Sequence, residues 1–215
     1  MKTRVLELLL IAALLCPGLA APAAAATEGE IDQAIEDGLV WLALQQNGDG
    51  SFDGGGVDYR LAQTATAVLA FENEGHFPGG GSTYSTHVEK GLDYLFQTSV
   101  SEFPITNQPH GDPDTNEDDK GVAWMKGTNR EVYVTGMIMQ AIVASNRPDR
   151  VVTGGTLNGQ TYKQVMTNLV DWAAWGQVDS GTGRGGWRYL ANSGNSDNST
   201  AQWPVLGLVA AEQWG

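Results

Sequence analysis

Three stretches of this sequence repeat one plan, and a repeated plan restricts a chain to architectures in which each unit buries its apolar face only against its neighbours. The first runs Gly38-Leu39-Val40-Trp41-Leu42-Ala43-Leu44-Gln45-Gln46 and continues through Asn47-Gly48-Asp49-Gly50-Ser51-Phe52. The second is Gly91-Leu92-Asp93-Tyr94-Leu95-Phe96-Gln97. The third is Leu169-Val170-Asp171-Trp172-Ala173-Ala174-Trp175-Gly176-Gln177, followed by a glycine-rich stretch that reaches Gly186-Trp187. Each copy carries an aromatic in the same place, an apolar stripe around it, a glutamine and, usually, a glycine turn. Aligned on the aromatic, Trp41 and Tyr94 are 53 residues apart and Tyr94 and Trp172 are 78 apart. A polar insertion at residues 99–127, with three prolines and a run of acids, accounts for the longer interval.

Between the copies lie segments of another kind, at residues 61–71, 132–143 and 200–211. They are rich in Ala, Gly, Thr and Met and almost free of charge. A helix that is apolar nearly all round belongs where most of its sides are covered. The glutamine-bearing segments are amphipathic instead. In the first, Asp32, Glu36 and Asp37 share one face, while Ile31, Ala34, Ile35 and Leu39 share the other. Wet and dry helices therefore alternate, which predicts an all-α domain of about three hairpins in two concentric layers. The dry helices, including residues 204–211 of the last, form the inner layer. A solenoid of stacked hairpins also gives two layers, but it does not require one of them to be so uniformly apolar.

The repeats are preceded by a segment with the marks of a signal peptide, residues 1–26. Lys2 and Arg4 give a positive start, residues 5–15 are mostly apolar although Glu7 interrupts them, and Pro17-Gly18 ends the run. Small residues at 20–26 then offer cleavage sites near Ala26. The apolar run is shorter than the roughly 20 residues that a membrane span needs. Cys16, the single cysteine, lies inside this segment behind Leu14 and Leu15, not behind the small residues of a lipoprotein signal. The mature chain, residues 27–215, thus has no cysteine, which excludes disulfides, a thiolate zinc site, a thioester and a cysteine nucleophile together. Export without disulfides fits a bacterial periplasm, envelope or medium. Loss of Lys2, Arg4 and Glu7 leaves 10 basic and 24 acidic side chains, a charge of about −14. Such a chain repels nucleic acid and anionic membrane surfaces. No later stretch is long and apolar enough to span a membrane.

The pattern G-L-x-W-L-x-x-Q-Q-x-x-x-G-x-F at Gly38 to Phe52 resembles the glutamine-aromatic repeat of the prenyltransferase and squalene-cyclase superfamily. Gly185-Gly186-Trp187-Arg188-Tyr189, followed by Asp197-Asn198-Ser199-Thr200-Ala201-Gln202-Trp203, resembles another repeat entering its inner helix. The resemblance covers nearly all of residues 30–214 and implies an α/α toroid, an (α/α)6 ring around an apolar cavity. Three hairpins make half of that ring, so the expectation is a partial toroid. Trp203, Val205, Leu206, Leu208, Val209 and Trp214 would then face water where a further hairpin belongs. Either the sequence is a piece of a longer protein or two copies complete one ring by self-association. In each copy the glutamine is expected to satisfy carbonyls and amides of the following turn, and the aromatic to stack on that amide.

Departures from the family's chemistry are specific. Cyclases of this type use a D-x-D-D acid, and the nearest string here is Asn116-Glu117-Asp118-Asp119, in a hydrophilic stretch where water keeps carboxylates ionised. Protein prenyltransferases hold zinc with Asp, Cys and His, and the mature chain has no Cys. No zinc and no cofactor are expected. Asp112, Asp114, Asn116 and Asp118 alternate like the start of a calcium loop, but Glu117 and Ala123 stand where its glycine and bidentate glutamate belong. Asn47, Asp49, Ser51 and Asp53 alternate similarly, with Phe52 in the glycine position. Solvated turns are the simpler reading of both. His76, His87 and His110 have no metal spacing, and His76 follows Gly75 at a helix end where histidine is a common cap.

A ligand site is expected where the inner helices begin, because helix dipoles and caps gather at one end of the ring. The candidates are Asp58, Tyr59, Arg60 and Gln63 in the first unit, Asn129, Arg130 and Tyr133 in the second, and Asp197, Asn198, Gln202 and Trp203 in the third. Asp58, Asn129 and Asp197 also have the residue type and position of plain N-caps. Arg60 and Arg130 would bind carboxylates of a ligand or pair with the acids beside them. Three readings stay open. One is a binding or scaffolding toroid whose partner is a small molecule, a glycan or an envelope protein. The second is an exported enzyme that cleaves glycans, and the third, disfavoured by its chemistry, is a terpenoid cyclase. No acid–base pair stands out, which favours the first.

Overall fold

The structure is a computed structural model that describes residues 25–52 and 54–215. The expected signal peptide lies outside the described residues apart from its last two, as does Asp53 of the first glycine turn. The chain divides into two units at Gly38–Leu39. Within the first, residues 27–38 begin helix α1 (Glu28–Leu44) with a capping box: the Thr27 amide and hydroxyl both donate to Glu30 at 2.8 Å, and the Glu30 amide donates to Thr27 Oγ1 at 3.3 Å. Every described residue of this unit is exposed. The expected buried face of Ile31, Ala34 and Ile35 is therefore corrected: Ile31 is 50% exposed, and the stripe has no partner within its unit.

The second unit holds the rest of the fold. Helices α2 (Val57–Asn73), α3 (Ser85–Gln97), α4 (Glu131–Ala144), α5 (Tyr162–Trp175) and α6 (Asn198–Ala211) are joined by strands β1 (Val100–Pro104) and β2 (Lys120–Trp124) and two short 3-10 turns. The protein is mostly helical, and the all-α expectation needs one correction. Residues 99–127 are not simply a polar insertion. The strands pair antiparallel, Val100 opposite Trp124 through Pro104 opposite Lys120. Val122, Ala123 and Trp124 are fully buried, because alternation fails over Val-Ala-Trp and β2 is covered on both faces. Only residues 106–119 keep the expected polar character, with Pro113 alone buried among them.

Helix α4 sits between α2 and α6, while α3 lies on α2 and β2 lies on α5. Ten of the fourteen residues of α4 are buried. Small residues set these distances. A Cβ on Gly136 would stand 2.5 Å from the Trp203 backbone, and one on Gly207 2.8 Å from Met139 Sδ, so α4 and α6 touch backbone to backbone. Gly91 brings α3 onto α2 in the same way, 2.4 Å from Val68 Cγ2. Three buried indoles then fasten elements to one another. Trp124 Nε1 donates to Leu95 O at 2.7 Å, Trp172 Nε1 to Glu131 Oε1 at 3.0 Å, and Trp187 Nε1 to Ala173 O at 2.9 Å.

The three dry helices differ more than their composition suggests. Helix α4 is covered on nearly all sides, and α2 buries Leu61, Ala65, Val68 and Phe71 but exposes Gln63 and Thr66. Helix α6 buries only Thr200, Pro204 and Gly207, so its expected place in a covered inner layer is not met. Of the six residues expected to face water, Val205, Leu206 and Val209 are exposed, while Trp203, Leu208 and Trp214 are half-buried. The repeat glutamines behave alike. Gln46 Nε2 donates to Gly50 O at 3.0 Å and His87 O at 2.8 Å, Gln97 to Thr153 O at 3.2 Å, and Gln177 to Gly185 O at 3.2 Å. All three donate to backbone carbonyls, but only Gln46 and Gln177 close the loop that follows them, while Gln97 reaches the loop between α4 and α5. The aromatics do not behave alike: Trp41 is 62% exposed, Tyr94 is half-buried and Trp172 is fully buried.

Candidate functional site

The starts of α2 and α4 flank a cleft of about 350 Å³. Its polar and aromatic lining is Asp58, Tyr59, Arg130, Tyr133 and Tyr189, over a floor of Ala62, Val134 and Met137. Four of these residues belong to the expected rim. Asp58 is not an N-cap: Gly56 holds that position on α2 and makes no side-chain cap. Asn129 is not one either, because α4 begins after Arg130. Their expected capping role is corrected. The Asp58 carboxylate instead reaches the start of α4 and accepts a 2.9 Å hydrogen bond from Arg130 Nε. Burial opposes its ionisation, but the Arg130 donor and the Tyr59 amide outweigh that and hold the carboxyl below the usual range.

Asp197 is the N-cap of α6 as its type suggests, accepting from the Thr200 amide at 3.2 Å and from the Ser199 hydroxyl. These bonds, the Ser199 hydroxyl foremost, also keep its carboxyl low. The Tyr133 hydroxyl meets Ser199 Oγ at 3.1 Å, which links the cleft to this cap. Tyr133 and Tyr189 stack with centroids 5.7 Å apart and planes 13° apart, and Trp203 stands 6.2 Å from Tyr133. Arg188 lies 5.1 Å over the Tyr189 ring and 3.9 Å from Asp197. Tyr59 is 55% exposed, with the Arg130 guanidinium 6.0 Å from its centroid.

Other expected rim residues do not join. Gln63 lines a separate depression with Trp41, Gln45 and Phe52. The Arg60 charge acts on Asp49 of the first glycine turn, and its Nε is buried with no hydrogen-bond partner among the described residues. Asn129 and Asn198 are exposed, and Gln202 Nε2 turns back to Ser199 O at 2.9 Å. Tyr189 and Arg188 were missed. Their signal is an arginine within three residues of a tyrosine near the start of, or before, each dry segment: Tyr59-Arg60, Arg130 with Tyr133, and Arg188-Tyr189.

The alternating acids form successive side-chain-to-amide turns. The amides of Asp114, Asn116, Asp118 and Lys120 donate to the side chains of Asp112, Asp114, Asn116 and Asp118, and the Asp119 amide reaches Asp114 Oδ2 at 2.7 Å. Thr115 and Asn116 anchor this loop to Asp171 and Asn168 of α5. The string Asn116-Glu117-Asp118-Asp119 is exposed throughout. Among the described residues no three His, Cys, Asp or Glu side chains are placed to hold a metal ion. His76 meets Ser82 Oγ at 3.0 Å, a loop tie rather than a helix cap, and His87 meets Gln46 Oε1 at 2.7 Å. His110 reaches Asp179 O at 2.8 Å beside a polar depression that includes Asp112 and Arg184.

A general acid at neutral pH needs a carboxyl raised toward 7. Both carboxylates at or beside the cleft are lowered, Asp58 by its bond from Arg130 and Asp197 chiefly by the Ser199 hydroxyl. The raised carboxyls are Glu72, Asp93 and Asp171, all displaced upward by burial, and none of them lines the cleft. The arrangement can recognise a ligand by stacking, by hydrogen bonds from a fixed ion pair and by shape. Among the described residues, no carboxyl that burial raises lines the cleft. No protein-family model, curated protein or solved structure matches the chain.

Proposed function

We propose that this is an exported binding or scaffolding protein built as part of an α/α toroid of the prenyltransferase and squalene-cyclase type, and that it is not an active cyclase. The observation that carries the reading is the cleft at the starts of α2 and α4, aromatic and ion-paired, with every raised carboxyl elsewhere. Support for the toroid comes from the order of the dry helices, α2 against α4 against α6, with the glutamine-bearing α3 lying against α2. The repeated glutamine ties add to it. Export rests on the pattern of residues 1–26 and on the cysteine-free remainder. The exposed Val205, Leu206 and Val209 offer a surface for self-association or for a further hairpin.

The test pairs binding with turnover. The purified mature chain is incubated with a panel of glycans and with squalene, while calorimetry follows binding and product analysis follows new reducing ends, unsaturated ends or polycyclic products. Binding that Arg130→Ala weakens, without products, is the expected result. Product formation by the parent protein overturns the non-catalytic reading, and binding indifferent to Arg130→Ala overturns the choice of cleft.

A further inference from the structure

We propose that the cleft takes one neutral sugar unit of a saccharide, packed against its tyrosine rings and hydrogen-bonded at its hydroxyls by the Arg130–Asp58 pair. This rests on the reading of the cleft as the ligand-contact surface. The volume, about 350 Å³, lies at the small end of the ~300–1,000 Å³ range of small-molecule sites.

Charge decides the ligand class. The cleft is lined by one cation and one anion, and they bond to each other at 2.9 Å. The neighbouring pair, Arg188 and Asp197, cancels in the same way at 3.9 Å. An acidic sugar or a phosphate would have to compete with Asp58 for Arg130, and a quaternary ammonium would meet Arg130 as a like charge. A neutral ligand disturbs neither pair. It also gains from them, because Arg130 spends Nε on Asp58 and one further N–H on Asn129 O at 3.4 Å, which leaves fixed donors of its planar fork for hydroxyl oxygens.

Shape points the same way. Phenol rings offer a broad apolar face with a polar tip. A pyranose is the matching object, with C–H groups on its faces and hydroxyls round its edge. Tyr59 is the open platform, more than half exposed at the mouth with the Arg130 guanidinium 6.0 Å from its centroid, while Tyr133 and Tyr189 are already stacked on each other as a wall. A wholly apolar ligand would suit the Ala62, Val134 and Met137 floor but would cover a charged pair without satisfying its remaining hydrogen-bonding groups.

The experiment is calorimetry of the purified chain with cellohexaose, chitohexaose, xylohexaose and mannohexaose, beside oligogalacturonate and choline. Tyr59→Ala and Tyr189→Ala are run in parallel, with thermal melts to show that they fold. A neutral hexaose should bind with an affinity that changes less than twofold between 50 and 500 mM salt, since no charge is exchanged. Tyr59→Ala, at an exposed position, should weaken it at least tenfold. Oligogalacturonate or choline binding instead, lost in Tyr59→Ala, would overturn the neutral-sugar inference and leave the cleft as the site. Neutral-sugar binding untouched by both tyrosine variants would overturn the inference and the cleft reading together. No binding by any hexaose would overturn the inference alone.

Discussion

Replacing Glu72 by glutamine should stabilise the protein at neutral pH and flatten the dependence of its stability on pH. Glu72 lies on α2, 3% exposed, and neither carboxyl oxygen has a hydrogen-bond partner among the described residues. Burial pushes its pKa from 4.5 up to about 9. The folded protein therefore keeps a proton that the unfolded chain releases above about pH 4.5. The stability tied to that proton is complete below pH 4.5, falls as pH rises, and is lost by about pH 9. At ~1.4 kcal/mol per unit, the loss at pH 7 is about 3 kcal/mol. Glutamine has the same shape and stays neutral, so it keeps the unpartnered polar group and removes only the proton term. Urea titrations at pH 5, 7 and 8.5 give the comparison. The variant should match the parent within ~1 kcal/mol at pH 5 and exceed it by about 3 kcal/mol at pH 7, with unchanged m. Parallel pH profiles for the two proteins would refute the reasoning, since Glu72 would then ionise in the folded state as freely as in water.

Three further outcomes follow from the packing and the loop. Gly136→Ala should cost about 1–3 kcal/mol in a urea titration, because its methyl would stand 2.5 Å from the Trp203 backbone and neither helix can move aside alone. Glu131→Ala should cost ~1–3 kcal/mol by the same assay, since it strands the buried Trp172 indole without its acceptor and removes the acceptor of the Gly127 amide. Thermal melts in calcium and in chelator should agree within ~1 °C: both Asp114 oxygens already accept backbone amides, and a tight ion would shift the midpoint by several degrees.

The parts of the fold legible in the sequence are those with a repeating local cause. Dry segments at 61–71, 132–143 and 200–211 fall inside α2, α4 and α6 because apolar periodicity survives any packing arrangement. The glutamine ties were legible because a helix end always leaves carbonyls and amides to satisfy. The strands were not. Lys120 to Trp124 is five residues inside an acid-rich stretch, and a short apolar run does not tell a strand from a helix. Its pairing partner, Val100 to Pro104, shows no strict alternation and is buried only by what packs on it. The differing fates of Trp41 and Trp172 were equally hidden. The two occupy one repeat position, but burial depends on which element faces each copy, and Trp172 meets Glu131 while Trp41 meets solvent.

The cleft was half legible for the same reason. Position relative to a helix start is local, so Asp58, Tyr59, Arg130 and Tyr133 could be named from sequence. Partner choice is not local. Asp58 and Asn129 have the side chains of N-caps, yet Gly56 and Arg130 take those positions, because an arginine 72 residues away gives Asp58 a charged donor that a backbone amide does not match. Arg60 and Arg130 look equivalent in sequence, each just ahead of a dry segment, but Arg60 lies inside the first turn of α2 and acts on Asp49, while Arg130 is the N-cap of α4 and pairs with Asp58. An arginine at an N-cap can reach back to a neighbouring helix start, whereas one already inside the first turn projects from its own helix, so the ion pair and the tyrosines round it gather at the α2–α4 boundary.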